Sequence, residues 1–217
     1  MSLDFAPVVK SLPFIAQGLG MTLTITLIAM AAAAVFGMVV CLARLASFAP
    51  LRFAAAAYVD FFRGLPPLVF LIWVYFGISA ALGLRLTPLA TAILCLAIQE
   101  SANLAEIYRA GLSSVPKGQR EAALALGLTP VDAFSHVVFP QTLRVVVPAA
   151  GNDFVALLKG SSLASILGVY ELMRVSQARA NYFFKPFEFL TTAAVIYLVL
   201  ALTAGKFFRW LEKRVVR

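Results

Sequence analysis

Glu100 and Lys159 are each ionisable, and each stands near the centre of an apolar stretch long enough to cross a bilayer. A charge at that depth costs about 2.5–3.5 kcal/mol on insertion scales, so it marks a functional group by default. One reading pairs the two as a buried structural ion pair. The other has them face a small water-filled cavity and bind a zwitterion, Glu100 holding its ammonium and Lys159 its carboxylate. Gln99, Asn103, Ser161 and Ser162 would then add hydrogen bonds. Gln99, Asn103 and Glu106 are spaced i, i+4, i+7 and share one helix face, with Glu100 beside it.

The other polar groups have plainer readings. Glu106 and Arg109 are i, i+3 near a helix end, the spacing of a local ion pair. Asp153 is expected to pair with Arg144 or Arg109. His136 has no His, Cys or carboxylate cluster around it, and no metal site is expected. Cys41 and Cys95 lie in apolar stretches and read as small buried hydrophobes. One His and two scattered Cys supply no nucleophile–base constellation, which argues against an intramembrane enzyme.

The elements that position these groups follow from composition. Apolar residues are 62% and charged residues 13% of the 217, against about 45–50% and 25% in soluble domains, and the mean hydropathy is +0.92. So few charges cannot cover a soluble globule of this size. The pattern predicts an all-α integral membrane protein with five transmembrane helices, at about 19–43, 64–84, 86–108, 145–170 and 189–205. Pro66-Pro67 should break a longer helix that begins near Phe53. The first seventeen residues lack a signal-peptide pattern and are expected at the membrane surface. The aromatic cluster of Tyr182, Phe183, Phe184 and Phe187 reads as an interfacial belt, or as a docking surface for a binding protein.

The net charge of +8 is a matter of topology. Arg44, Arg52, Arg63, Arg109, Lys117, Arg120, Arg144, Lys206, Arg209, Lys213, Arg214 and Arg217 fall on one side, twelve in all; Lys10, Arg85, Arg174, Arg179 and Lys185, five, fall on the other. The positive-inside rule puts the N-terminus outside and the C-terminus in the cytoplasm. The basic excess therefore needs no nucleic acid.

Between the third and fourth spans lies the longest polar stretch on the basic side, 112–140. It reads as two short helices. Pro116 opens the first, which runs through Glu121, Ala122, Ala123 and Leu126, and Gly127 ends it in a left-handed conformation. Thr129 caps the second with Pro130 at its first position and Asp132 three residues after the cap. Pro140 is expected to close it. Helix–turn–helix DNA binders share such a pattern, but this loop is short, tethered at both ends and weakly basic.

Glu121-Ala122-Ala123, three residues, Gly127, nine residues, Val137-x-Phe139-Pro140 resembles the EAA loop of ABC importer permeases, with Val and Phe in place of Ile and Leu. Asp60-Phe61-Phe62-Arg63-Gly64-Leu65-Pro66 resembles the R-G-T-P segment of the polar amino-acid uptake family (histidine, glutamine, glutamate and arginine type), with Leu65 for Thr. Ala105-Glu106-Ile107-Tyr108-Arg109-Ala110-Gly111 resembles its A-E-I-x-R-G-G segment. Leu158-Lys159-Gly160-Ser161-Ser162-Leu163 resembles L-K-D-T-S-L, departing at Gly160 and Ser161. That family often has an aromatic where Asn103 stands. The likeness extends over about residues 18–211.

The resemblance implies that 1–217 is a single ABC importer transmembrane domain of a bacterial inner membrane, carrying a polar amino acid or related solute. The loop would be the coupling helix, with Glu121, Ala122, Ala123 and Gly127 at the partner's surface. Implied partners are two cytoplasmic ATPase subunits, a second permease, identical or homologous, and an extracytoplasmic solute-binding protein. The chain is expected to be non-catalytic and free of cofactor, with ATP and Mg held by the ATPase. It has no G-x-x-x-x-G-K-[ST]; the nearest candidate, 151–161, has the wrong spacing. The alternative is a proton-coupled secondary amino-acid transporter using Glu100, a class that usually shows internal repeats and more spans.

Overall fold

The structure, a computed structural model, describes residues 3–215. Residues 1 and 2 of the N-terminal segment and Arg217 of the basic tally lie outside them. Among the described residues every regular element is helical.

The N-terminal segment forms α1 (Ala6–Lys10) and then the first turns of α2 (Leu12–Leu45). Pro7 and Pro13 each sit in a first turn, where the missing N–H costs nothing. Residues 12–17 are thus continuous with the first span. At 34 residues α2 is about 51 Å long, well beyond a ~30 Å hydrocarbon core.

Helix α2 is apolar all round, and side-chain size marks its packed face. Gly18, Thr22, Thr26, Ala29, Ala33 and Gly37 are buried at three- and four-residue steps, the small-residue pattern by which membrane helices approach closely. Its main neighbour is α5 (Pro88–Ser113). The contact is tight at Gly37, where a Cβ would stand 2.8 Å from the Ser101 carbonyl oxygen. Cys41 and Cys95 are buried in this packing.

Helices α3 (Ala49–Gly64) and α4 (Pro67–Leu82) meet at 102° across Pro66-Pro67. The expected break is there, and the long helix starts at Ala49. A π-helical stretch, Trp73–Ile78, lies within α4.

After α6 (Lys117–Ala125), α7 (Pro130–Leu167) runs on through the expected stop at Pro140. A proline ring collides with the carbonyl four residues earlier, here His136. That residue lies in a π-helical stretch, Phe134–Val138, whose wider turn accommodates the ring. Helix α7 ends in a 3₁₀ segment, Ser161–Leu167, and left-handed Gly168, then bends 51° into α8 (Leu172–Phe183).

Helix α9 (Pro186–Val215) completes the fold. Lys185 joins Asp4 at 2.9 Å and Glu188 at 3.8 Å, fastening the N-terminal segment to its start. That contact holds the Asp4 carboxyl below its ordinary range. Phe183 packs on Phe189, while Tyr182, Phe184 and Phe187 are exposed. Among the described residues three helices are long and apolar enough to cross a membrane, and up to five if each bent pair is one span.

Candidate functional site

A cavity of about 240 Å³ lies where α5 and α7 pass the α3–α4 break, lined by Phe62, Arg63, Leu65, Pro67, Gln99, Glu100, Asn103 and Gly160 among others. It is smaller than the usual ~300–1,000 Å³ of drug-sized sites, so its scale is that of a small solute. Glu100 is 7% exposed and its carboxyl is turned toward Asp153 on α7 and Asn103 one turn along α5. One of its oxygens, Oε1, has no hydrogen-bond partner among the described residues. The charge of Arg63, on the cavity lining, also acts on Asp153.

This differs from the sequence reading in three respects. Asp153 pairs with neither Arg144 nor Arg109; it faces Glu100. Lys159 is outside the cavity, exposed and without an ion pair among the described residues. The cavity face of α7 follows Ala156, Gly160 and Leu163, and at 3.6 residues per turn Lys159 falls roughly a quarter-turn to the side. Ser161 and Ser162 do not line the cavity either. Their hydroxyls donate to the Leu158 and Lys159 carbonyls at 2.7 Å each, as the turn tightens.

Gln99 and Asn103 do border the cavity, but Gln99 has a structural task as well. Its Nε2 donates to the Leu65 carbonyl at 2.9 Å and the Phe62 carbonyl at 3.4 Å. The last carbonyls of a helix lack intrahelical partners, so this amide completes the end of α3.

At the end of α5 near the loop, Glu106 pairs with Arg109 at 2.7 Å, as expected, and also with Arg44 of α2. Two cations on one half-buried carboxylate tie these helix ends together.

In the loop, the end of α6 is a double closure. The Leu128 N–H donates to the Ala123 carbonyl at 3.2 Å and the Gly127 N–H to the Leu124 carbonyl at 3.0 Å. This motif needs a left-handed residue after the cap, and Gly127 has φ +87°. The Asp132 N–H donates to Thr129 Oγ1 at 3.2 Å, forming the expected cap. Glu121 and Ala122 are exposed, whereas Ala123 is 4% exposed and packs inward, away from any partner. Leu126 at 85% and Val131 at 74% exposure are the most open of the loop's exposed apolar side chains.

Sequence reasoning missed Glu171, which is fully buried at the start of α8. Its carboxyl accepts from Tyr197 of α9 at 2.7 Å, Thr22 of α2 at 3.3 Å and the backbone N–H groups of Met173 and Arg174 at 2.9 and 2.8 Å. Placed just past the fourth span, it looked like an ordinary exposed boundary residue. A carboxylate at a helix start is the available signal, but its partners are far off in sequence.

Residues 33–217 match the family described as binding-protein-dependent transport system inner membrane component. The chain is 36% identical over 203 residues to the probable amino-acid permease YxeN of Bacillus subtilis (strain 168), covering 93% of this chain and 91% of the relative. It is 33% identical over 202 residues to the arginine transport system permease ArtQ of the same organism, covering 93% and 92%. A crystal structure of an amino acid ABC transporter with histidines superposes with a TM-score of 0.92 at 35% identity, covering 99% of this chain and 100% of that one.

Proposed function

The chain belongs to the inner-membrane components of binding-protein-dependent transport systems, among the amino-acid ABC transporter permeases, and on that premise we propose that it is the permease subunit of an ATP-driven importer for an amino acid with a cationic group held at Glu100 and Asp153. The observation that carries this reading is the meeting of those two carboxyl groups beside a small cavity, with Glu100 Oε1 unpartnered. A cationic nitrogen there would complete the missing hydrogen bond and balance the acidic pair, which a neutral or anionic group would not. Arg63 on the same lining is the group suited to a solute carboxylate, a part earlier given to Lys159. Asn103 and Gln99 add polar contacts.

In this account residues 1–217 are one transmembrane domain with five spans, each bent pair counting once. The N-terminus is outside and the C-terminus in the cytoplasm of a bacterium whose inner membrane holds the protein. A second permease, identical or related, completes the pathway. Two ATPase subunits dock on the loop, where Glu121, Ala122 and Leu126 offer an exposed face and Gly127 sets its shape. Exposed apolar side chains on a loop suit a protein partner. ATP and Mg are held by that partner, and ATP-driven closure moves the loop and turns the cavity outward. A solute-binding protein delivers the amino acid there, against the exposed aromatic residues near Tyr182. The relatives favour this over a proton-coupled carrier.

The test is solute binding to the complex purified with the products of the neighbouring genes. Glu100→Gln and Asp153→Asn should each abolish binding of the transported amino acid while the ATPase subunits still copurify. Undiminished binding by both variants would refute the cavity assignment; loss of the ATPase from wild type would refute the coupling assignment.

A further inference from the structure

A groove of about 550 Å³ opens between the end of α2, α5, the loop and the start of α7. Its wall is apolar: Leu42, Leu45, Leu112, Val138, Phe139 and Val146 are representative. The polar side chains on the wall are already satisfied internally. Thr142 Oγ1 donates to the Val138 carbonyl at 3.0 Å and the Tyr108 hydroxyl to the Ala34 carbonyl at 3.5 Å. Nothing polar inside therefore asks for a polar guest.

The charge on the lining is of one sign. Lys117 and Arg120 both border the groove, both are exposed, and they stand i, i+3 on α6, so they share a face. Neither forms an ion pair among the described residues. The acids nearest this end, Glu121, Asp132 and Glu106, are not part of the lining; Asp132 is engaged with Thr129, and Glu106 of α5 is paired with Arg44 and Arg109. An apolar trough with two free cations at its exposed end matches an amphiphile with an anionic head. Leu42 and Leu45, 59% and 51% exposed, lie on a membrane-length helix and continue the wall toward the hydrocarbon.

We propose that this groove binds one anionic phospholipid from the leaflet that meets the loop, its phosphate between Lys117 and Arg120 and an acyl chain along Leu42, Val138 and Val146. The site needs only that the chain spans a membrane, and stands whether or not Glu100 and Asp153 hold the solute. Basic groups at the membrane surface each favour an anionic headgroup modestly. A lipid seated there would brace α6 against α2 and so fix the height of the loop.

The test is native mass spectrometry of the purified full chain titrated with phosphatidylglycerol or with phosphatidylcholine of the same acyl chains. Two cations predict a preference for the anionic lipid of about thirtyfold at one site per chain. Lys117→Gln with Arg120→Gln should bring that preference close to unity. Leu42→Trp, which fills the trough and leaves both cations, should lower retention of both lipids. Size-exclusion profiles and helical circular dichroism must match wild type in all variants. An unchanged preference in the double variant overturns the proposal. Wild-type retention in Leu42→Trp places the lipid on the charged surface instead and also overturns it, as does displacement by inorganic phosphate, which would mark a soluble-anion site.

Discussion

Removing the Glu171 carboxyl by Glu171→Ala should be among the most damaging single changes in this chain, although the residue touches neither cavity nor loop. The side chain is fully buried and takes four hydrogen bonds, two from the first turn of α8 and one each from α2 and α9. Losing the cap of α8 costs about 1 kcal/mol. The Tyr197 and Thr22 hydroxyls would lose an acceptor inside the fold, at about 1–3 kcal/mol each. Thr22 still accepts from the Leu172 N–H at 3.1 Å, but that leaves its own proton unpaired, so the total should be at least about 3 kcal/mol. For a chain of this length that lowers the midpoint of thermal unfolding in detergent by at least ~6 °C. Tyr197→Phe alone should cost less, because it removes the donor without stranding a buried polar group, and the double variant should be less damaged than the sum by at least ~0.5 kcal/mol. A midpoint within about 2 °C of wild type for Glu171→Ala would refute the reasoning.

Four other outcomes follow from the geometry. Gly37→Val should separate α2 from α5 and cost about 1–3 kcal/mol, since the Ser101 carbonyl is backbone and cannot swing aside; the unfolding midpoint checks it. Gly127→Ala should cost about 1–2 kcal/mol at φ +87° and weaken ATPase copurification, whereas Ala122→Gly should leave the loop's shape intact. Thr129→Ala should cost about 1 kcal/mol of local stability, read as faster amide exchange at the start of α7, with Thr129→Ser restoring it. Because the folded Asp4 carboxyl is held below its ordinary value of 3.8 by Lys185, its tie to the N-terminal segment is present above that pH and lost as the pH falls through the lower folded value. Proteolysis of the first ten residues at graded pH would show it, and Lys185→Gln should remove the pH dependence.

The position of the long apolar helices along the chain was legible in the sequence, and their azimuth was not. The apolar stretches located α2, α5 and α9 because hydrocarbon leaves a helix few alternatives. The ends of α6 and α7 were legible because Gly127 and the Thr129–Asp132 spacing act within one turn. Lys159 and Glu100 both fall on helices, yet they do not meet. A few tens of degrees of helix rotation decide which side chain enters the cavity, and the neighbouring 3₁₀ turn changes that rotation. The Glu100–Asp153 approach depends on how α5 packs on α7. Pro140 misled because its usual effect on a helix is cancelled by a π-helical stretch that no local residue announces. Glu171 escaped notice because its partner Thr22 is 149 residues away.

The measurement that tests the central claim most directly is uptake of labelled amino acids into vesicles containing this chain with its operon partners, with ATP inside or outside and with a proton gradient as the only alternative drive. The account predicts uptake that requires ATP on the loop side together with the binding protein, favours an amino acid with a cationic group, and disappears in Glu100→Gln. Uptake driven by the proton gradient in the absence of any ATPase subunit would contradict it.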